Sequence, residues 1–172
     1  MLLPSIEAID RLRQAGIRPQ VVGCFLHAKK ILFLYKEKYE LWELPQGGID
    51  NRETIETAIK REMAEELGVR FMSTTTIHSL IGENQVIFPV GTKDYHEFKT
   101  DAGKDMVMKG KKYFFIVIDA NVSDLHIRET EYEDYQWLDY DSAIKLSETM
   151  YQRGKQRVTV NALDLLHHSG LL

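Results

Sequence analysis

Apolar residues recur at two periods along this chain, and the switches between them mark its elements. Ile6, Ile9 and Leu12 repeat every three residues. That spacing predicts a short helix over about 5–15, ended near Gly16. Residues 21–27 and 31–35 are apolar runs parted by Ala28-Lys29-Lys30, and they read as a hairpin. Residues 41–44 predict a third strand, stopped by Pro45-Gln46-Gly47-Gly48. Residues 54–67 lack Gly and Pro, and Ile55, Ala58, Ile59, Met63 and Leu67 form one stripe. This is a helix with one buried face, for which Gly68 is the expected C-terminal cap. Further strands are predicted at 77–81, 85–88, 113–118 and 136–138, and helices at 141–147 and about 155–167, the first capped by Asp141. Between the strands, residues 91–112 carry six lysines and three glycines. A mobile loop is expected there. Strands and helices interleave irregularly, so a mixed-sheet α/β or α+β sandwich fits better than a doubly wound parallel sheet.

With 172 residues, the chain is expected to form a single domain, 1–172, with room for a full core. Its 22 basic and 26 acidic residues give a formal net charge of −4. That argues against a general nucleic-acid coat, whose affinity comes mostly from neutralising phosphates. The single cysteine, Cys24, excludes an intrachain disulfide and a Cys-rich zinc site. It reads as an inert buried thiol in a reducing compartment. The N-terminal residues carry no secretory pattern, and the run at 113–118 is far too short to span a bilayer. A cytoplasmic protein with no membrane partner is expected. The six histidines are scattered without metal-ligand spacing and read as structural or surface groups.

The chemistry concentrates between Gly47 and Val69. Glu62 and Glu66 lie four apart on the predicted helix and Glu62 and Glu65 three apart, so three carboxylates share one face. Like charges at this spacing cost about 0.2–0.5 kcal/mol per pair on an exposed helix. Arg61, Lys60 or a divalent cation would offset that repulsion. Carboxylates without Cys or His suit hard ions, namely Mg²⁺, Mn²⁺ or Ca²⁺. Mg²⁺ typically combines one or two carboxylates with water and substrate phosphates, which points to phosphoryl or pyrophosphoryl chemistry. Taken alone, Glu65-Glu66 reads as a solvated helix face. The full spacing Gly47-x5-Glu53-x7-Arg61-Glu62-x2-Glu65-Glu66-x-Gly68 is far harder to match by accident, roughly once in 10⁶ chains of this size.

That stretch, aliphatic positions included, resembles a complete Nudix box over 47–69. The resemblance implies a Nudix α/β/α sandwich with a mixed sheet, and Mg²⁺-dependent hydrolysis (Mn²⁺ as the substitute) of a nucleoside diphosphate linked to another moiety. It implies metal binding by Glu65 and Glu66, with Glu62 as ligand or base. It pairs Arg61 with Glu53 to hold the loop–helix geometry. Gly47 and Gly48 would let the loop backbone approach metal or phosphate.

The flanks resemble the RNA pyrophosphohydrolase and dinucleoside polyphosphate hydrolase branch. Trp42-Glu43-Leu44-Pro45-Gln46-Gly47-Gly48-Ile49 matches its entry to the box. Gly16-Ile17-Arg18-Pro19-Gln20-Val21 matches its opening, with Ile17 and Gln20 departing from the pattern. Lys109 to Phe115 resembles its basic, aromatic strand, and Glu131 to Leu138 its later segment, whose first Glu is a further metal ligand or base. The expected substrate is a dinucleoside polyphosphate or the 5′ end of triphosphorylated RNA. Arg18, Lys36, Gly48, Lys112 and Tyr113 are its expected contacts; Lys111 is a further candidate for phosphate, and Tyr39 and Phe88 for base stacking. The alternatives are damaged nucleoside triphosphates, ADP-ribose or other nucleotide sugars, and a non-catalytic nucleotide sensor. Gln85 stands near where ADP-ribose hydrolases carry a proline, and such sensors usually lose a box acid. The resemblance leaves the oligomeric state open, homodimers being common among such proteins.

Overall fold

A computed structural model describes residues 3–89, 97–100 and 103–172. Its elements run α1 (Ile6–Gln14), β1 (Ile17–His27), β2 (Lys30–Lys36), β3 (Leu41–Glu43), β4 (Gln46–Gly48), α2 (Ile55–Leu67) and α3 (Val69–Met72). They continue with β5 (Thr75–Ile87), β6 (Glu97–Lys99), β7 (Asp105–Val107), β8 (Gly110–Ala120), β9 (Asp134–Leu138), α4 (Tyr140–Glu148) and α5 (Arg153–His168). The main sheet has the order β3-β2-β1-β8-β5, with β4 on β1 and β9 on β2. β1 and β8 are parallel from Ile17/Gly110 to Leu26/Asp119, and the remaining pairings of this sheet are antiparallel.

Strand alternation sorts the apolar residues into two cores. Val21 and Phe25 of β1, with Phe114, Ile116 and Ile118 of β8, pack against Ile9 of α1 and Ile59 and Met63 of α2. Val22, Cys24 and Leu26, with Phe115 and Val117, pack against Ala143 of α4 and Val158, Ala162 and Leu166 of α5. Helices cover both faces of a mixed sheet, as expected. Cys24 is fully buried, and burial pushes its thiol up to about 12.

The helix starts are chemically specified. The Ser5 and Thr54 hydroxyls accept from Ala8 N and Thr57 N, capping α1 and α2. Gly68, at φ +85°, closes α2 in a conformation only glycine adopts freely.

Several expectations need correction. β1 starts at Ile17, because its parallel pairing with β8 runs through Arg18-Pro19. Pro45-Gln46-Gly47-Gly48 does not simply end a strand: residues 46–48 form β4, paired with residues 20–22. The strands expected at 77–81 and 85–88 are one strand, β5, because Gly82-Glu83-Asn84 pair with Phe115, Phe114 and Tyr113 of β8; its register shifts fall on either side of Leu80. Within 91–112, β6 and β7 pair as a hairpin, and residues 110–112 belong to β8. Residues 91–96 and 101–102 of that segment lie outside the described residues. Asp139, not Asp141, caps α4, accepting from Ser142 N at 2.8 Å. The helix α3 was not anticipated.

Candidate active site

The loop 48–53 and the start of α2 are organised around Arg61. Its Nε and Nη2 donate to the two oxygens of Glu53 at 2.9 and 2.7 Å. Nη2 also donates to Gly48 O at 2.9 Å, and Nη1 to Glu62 Oε1 at 2.8 Å. A planar fork can serve several acceptors at once, which an ammonium cannot do as well. Burial works against the charge on Glu53, but the Arg61 hydrogen bonds and the Asp50 N–H outweigh it and hold the carboxyl below its ordinary range. The Glu53 hydrogen bonds in turn hold the Arg61 guanidinium firmly charged. The ion pair implied by the resemblance is thus present, and it clamps the loop backbone to the helix.

The three helix carboxylates occupy different environments. Glu62 lies against Gly47, where any Cβ would overlap its side chain. Glu65 is 62% exposed and, among the described residues, reaches Arg61 Nη1 at 3.5 Å. Glu66 is turned inward, accepting from Gln46 N at 3.1 Å and from Tyr132. Burial pushes its carboxyl up to about 8, against the Tyr132 and Gln46 hydrogen bonds and with help from nearby Glu43 and Glu62. Among the described residues, no three His, Cys, Asp or Glu side chains converge as a ready-made metal cage. Arg61 stands between Glu62 and Glu65, where the like charges need a cation. The all-carboxylate donor set still suits a hard ion that takes few protein ligands, and the glycine at 47 leaves backbone room beside it. Glu131 lies at the same end of the sheet, 3.3 Å from Lys36 Nζ and next to Tyr132. The Lys36 ammonium also sits 5.2 Å from the Tyr132 ring centre.

Other expected contacts separate by strand face. Arg18 pairs in register with Lys111, and Gln20 with both Tyr113 and Gly48. The Arg18 guanidinium lies against Gly48: a Cβ there would stand 3.0 Å from Nη2. Tyr113 is buried, so it forms a wall rather than a stacking platform. Lys112 points to the opposite side of β8 and pairs with Glu83. Lys111, not Lys112, shares the Arg18–Tyr113 face. Its ammonium makes no hydrogen bond or ion pair among the described residues. Burial, aided by Arg18 and Lys155, lowers it to about 8. Lys111 and Tyr113 line a cavity of about 590 Å³ with Val86, Ile87, Phe88 and Arg153. Nearby, the buried Gln20 Oε1 has no hydrogen-bond partner among the described residues.

Sequence reasoning singled out neither Tyr132 nor the buried Glu43. Glu43 pairs with Lys155 and accepts from Gln46 Nε2 at 3.0 Å, tying α5 to the strand entering the box. Tyr132 had a weak signal, as the neighbour of Glu131. Glu43 had none, since it stands between two apolar positions of a short strand.

A fold of this kind with an Arg-clamped glutamate helix defines a class, and comparison with known proteins agrees. The NUDIX domain family model matches residues 17–159. The chain belongs to the Nudix family, hydrolases of phosphoanhydride bonds. It is 27% identical over 115 residues to an RNA pyrophosphohydrolase of Ruthia magnifica subsp. Calyptogena magnifica, covering 65% of this chain and 62% of that protein. It is 23% identical over 164 residues to an RNA pyrophosphohydrolase of Aliivibrio fischeri (strain MJ11), covering 86% and 89%. Among solved structures, a C. elegans Ap4A hydrolase complex superposes with a TM-score of 0.56 at 19% identity, covering 89% of this chain and 97% of that one. The E. coli dihydroneopterin triphosphate pyrophosphohydrolase gives 0.56 at 15% identity, covering 85% and 93%.

Proposed function

We propose that this chain is a divalent-metal-dependent pyrophosphohydrolase whose substrate is a dinucleoside polyphosphate or the 5′-triphosphate end of RNA. The observation that carries this is the complete box folded around Arg61, entered through Pro45 and the β4 residues Gln46-Gly47-Gly48. The names of the relatives, RNA pyrophosphohydrolase and Ap4A hydrolase, support the same substrate classes.

Glu62, Glu65 and Glu66 would hold Mg²⁺ or Mn²⁺, with Glu131 as a further ligand or base and the Gly47 backbone beside them. Such an ion, when bound, neutralises phosphate charge and lowers the pKa of water. Hydrolysis adds water across a P–O–P bridge. A new P–O bond forms to the water oxygen, the bridging P–O bond breaks, and the leaving phosphate keeps its electron pair. Glu62 or Glu131 accepts the proton from the water. Arg61 and Glu53 do no chemistry; they fix Glu62 and the Gly48 carbonyl. Arg18 and Lys111 bind phosphate oxygens beside Gly48, and Lys36 does so near Glu131. The cavity walled by Val86, Ile87, Phe88 and Tyr113 takes an apolar, ring-sized part of the substrate.

The test is product release with Mg²⁺ from diadenosine polyphosphates, 5′-triphosphate RNA, ADP-ribose and nucleoside triphosphates. Turnover of RNA or dinucleotides well above the others supports the proposal. Preference for ADP-ribose or free triphosphates overturns the substrate assignment. Binding without turnover on any of them favours a sensor.

A further inference from the structure

The first helix lies outside the segment matched by the family model, which begins at residue 17. Its inner face is nevertheless built against the box. Ile9 is fully buried and joins Ile49 in the same core cluster. Arg13 stands one turn later on that face and is only 3% exposed. A guanidinium buried this deeply needs acceptors, because desolvating an unpaired charge costs several kcal/mol or more. Arg13 finds them in the loop: Nη2 donates to Ile49 O and, at 2.6 Å, to Asp50 O. Asp10, on the same helix, accepts from Nη1 at 3.3 Å.

The partners of this stretch of backbone form a pattern. Arg61, from inside the box, takes Gly48 O. Arg13, from outside it, takes the next two carbonyls. Ile49 N donates to Pro19 O at 3.1 Å, and Asp50 N to Glu53 Oε2 at 2.8 Å. Two guanidiniums on separate helices thus grip three consecutive carbonyls of a loop that has no regular secondary structure after Gly48. The same loop positions Glu53, which orients Arg61, which holds Glu62.

We propose that Arg13 is a positioning residue: through it α1 straps down the Ile49–Asp50 backbone and so sets the Glu53–Arg61–Glu62 arrangement from outside the family domain. Its described partners are the Ile49 and Asp50 carbonyls and Asp10, so it acts on the site through the loop. The catalytic part of this argument rests on the hydrolase reading above, and the structural part does not.

The experiment compares the full-length chain with Arg13→Met and Arg13→Lys, measuring kcat, KM, thermal stability and amide hydrogen exchange. In Arg13→Met, exchange at residues 49–53 rises while residues 113–118 of β8 stay protected, and kcat falls about 10- to 100-fold with KM within about threefold. Arg13→Lys keeps the charge but loses the fork, and its loop exchange and kcat fall between those of wild type and Arg13→Met. Wild-type kcat and loop exchange in Arg13→Met overturn the proposal. So does exchange that rises equally through β8, or a kcat loss that only matches the unfolded fraction, in both variants. Should the wild-type enzyme hydrolyse none of the tested substrates, the functional reading fails, and loop exchange still decides whether Arg13 holds the loop.

Discussion

Replacing Gly47 with Ala tests the site at its tightest point. Gly47 is paired with Val21 in the sheet, and its φ is not positive, so alanine meets no backbone strain there. The obstacle is Glu62: an added Cβ would overlap the Oε2, Cδ and Cγ atoms of that side chain. Carbon–carbon contacts are optimal near 3.5–4.0 Å, so the whole carboxylate end must move by about an ångström or more. Rotation of the tip alone does not relieve a clash that reaches Cγ. Overpacking of this kind costs about 1–3 kcal/mol of stability, and a 1 Å misplacement of a reacting group about 10²-fold in rate. We therefore expect kcat to drop about 100-fold, equivalent to about 2.7 kcal/mol in the barrier. The fold should survive, as judged by circular dichroism and a thermal melt. Gly48→Ala is the control, because its Cβ would meet only the flexible end of Arg18, 3.0 Å away. That variant should change KM more than kcat. Combining Gly47→Ala with Glu62→Ala completes the cycle. If alanine at 47 acts by displacing Glu62, the double variant is no slower than Glu62→Ala alone. A Gly47→Ala enzyme with kcat within twofold of wild type would refute the reasoning, as would losses that simply multiply.

Glu65→Gln should lower kcat by about 100-fold or more while leaving the melting temperature within about 1 °C, because Glu65 is 62% exposed; isothermal titration with Mg²⁺ checks the ligand role. Lys111→Met should raise KM, whereas Lys112→Met should leave it within about twofold, since Lys112 is held by Glu83 on the other face. The Lys111 ammonium binds phosphate only when protonated and titrates at about 8, so wild-type KM should rise about tenfold from pH 7 to pH 9. Lys111→Arg should flatten that rise, and an unchanged KM profile would remove Lys111 from the phosphate site. Lys155→Met strips the cation from Glu43, itself only 6% exposed, and should destabilise the fold by about 2–4 kcal/mol in urea titration. The double variant with Glu43→Met should recover most of that loss.

The parts of the fold legible in the sequence were those whose periodicity is local. Both faces of α2 could be drawn from Ile55 to Leu67, and the stripe Ile59–Met63 is where the core lies. The carboxylate face of α2 was legible for the same reason, whereas the Glu53–Arg61 pair was expected only from the resemblance to the family's box. What escaped depended on partners remote in sequence. Gln46-Gly47-Gly48 reads as a breaker until β1 is placed beside it. Gly82 splits β5 on paper, yet it lies under α5, where a Cβ would displace the end of the Leu165 side chain. Lys111 and Lys112 fall in the segment expected to be a loop, so their alternation shows only once β8 is seen to begin at Gly110, and nothing in the sequence says which face holds Arg18. Arg13 falls on the apolar stripe of α1, and hydropathy alone gives no reason to bury a guanidinium.

On the ribosome, the box would emerge well before the strand that completes its support. β1 forms its longest ladder with β8, joining Ile17 to Gly110 and Leu26 to Asp119 across about half the length of the chain. Until residues 110–120 are available, one whole edge of β1 has no partner, and Phe114 and Ile116 are missing from the core beneath α2. Contacts this distant in sequence close slowly, and an open apolar edge invites pairing with other chains. A product that stops short of β8 would carry Glu53, Arg61, Glu62, Glu65 and Glu66 on a sheet lacking its central parallel pair and the link to β5. The glutamate helix is therefore not a portable cassette. Transplanted without both strands of the parallel pair, it should be inert and prone to aggregate, and nascent chains are vulnerable to proteases and chaperone capture until the second half of the sheet arrives.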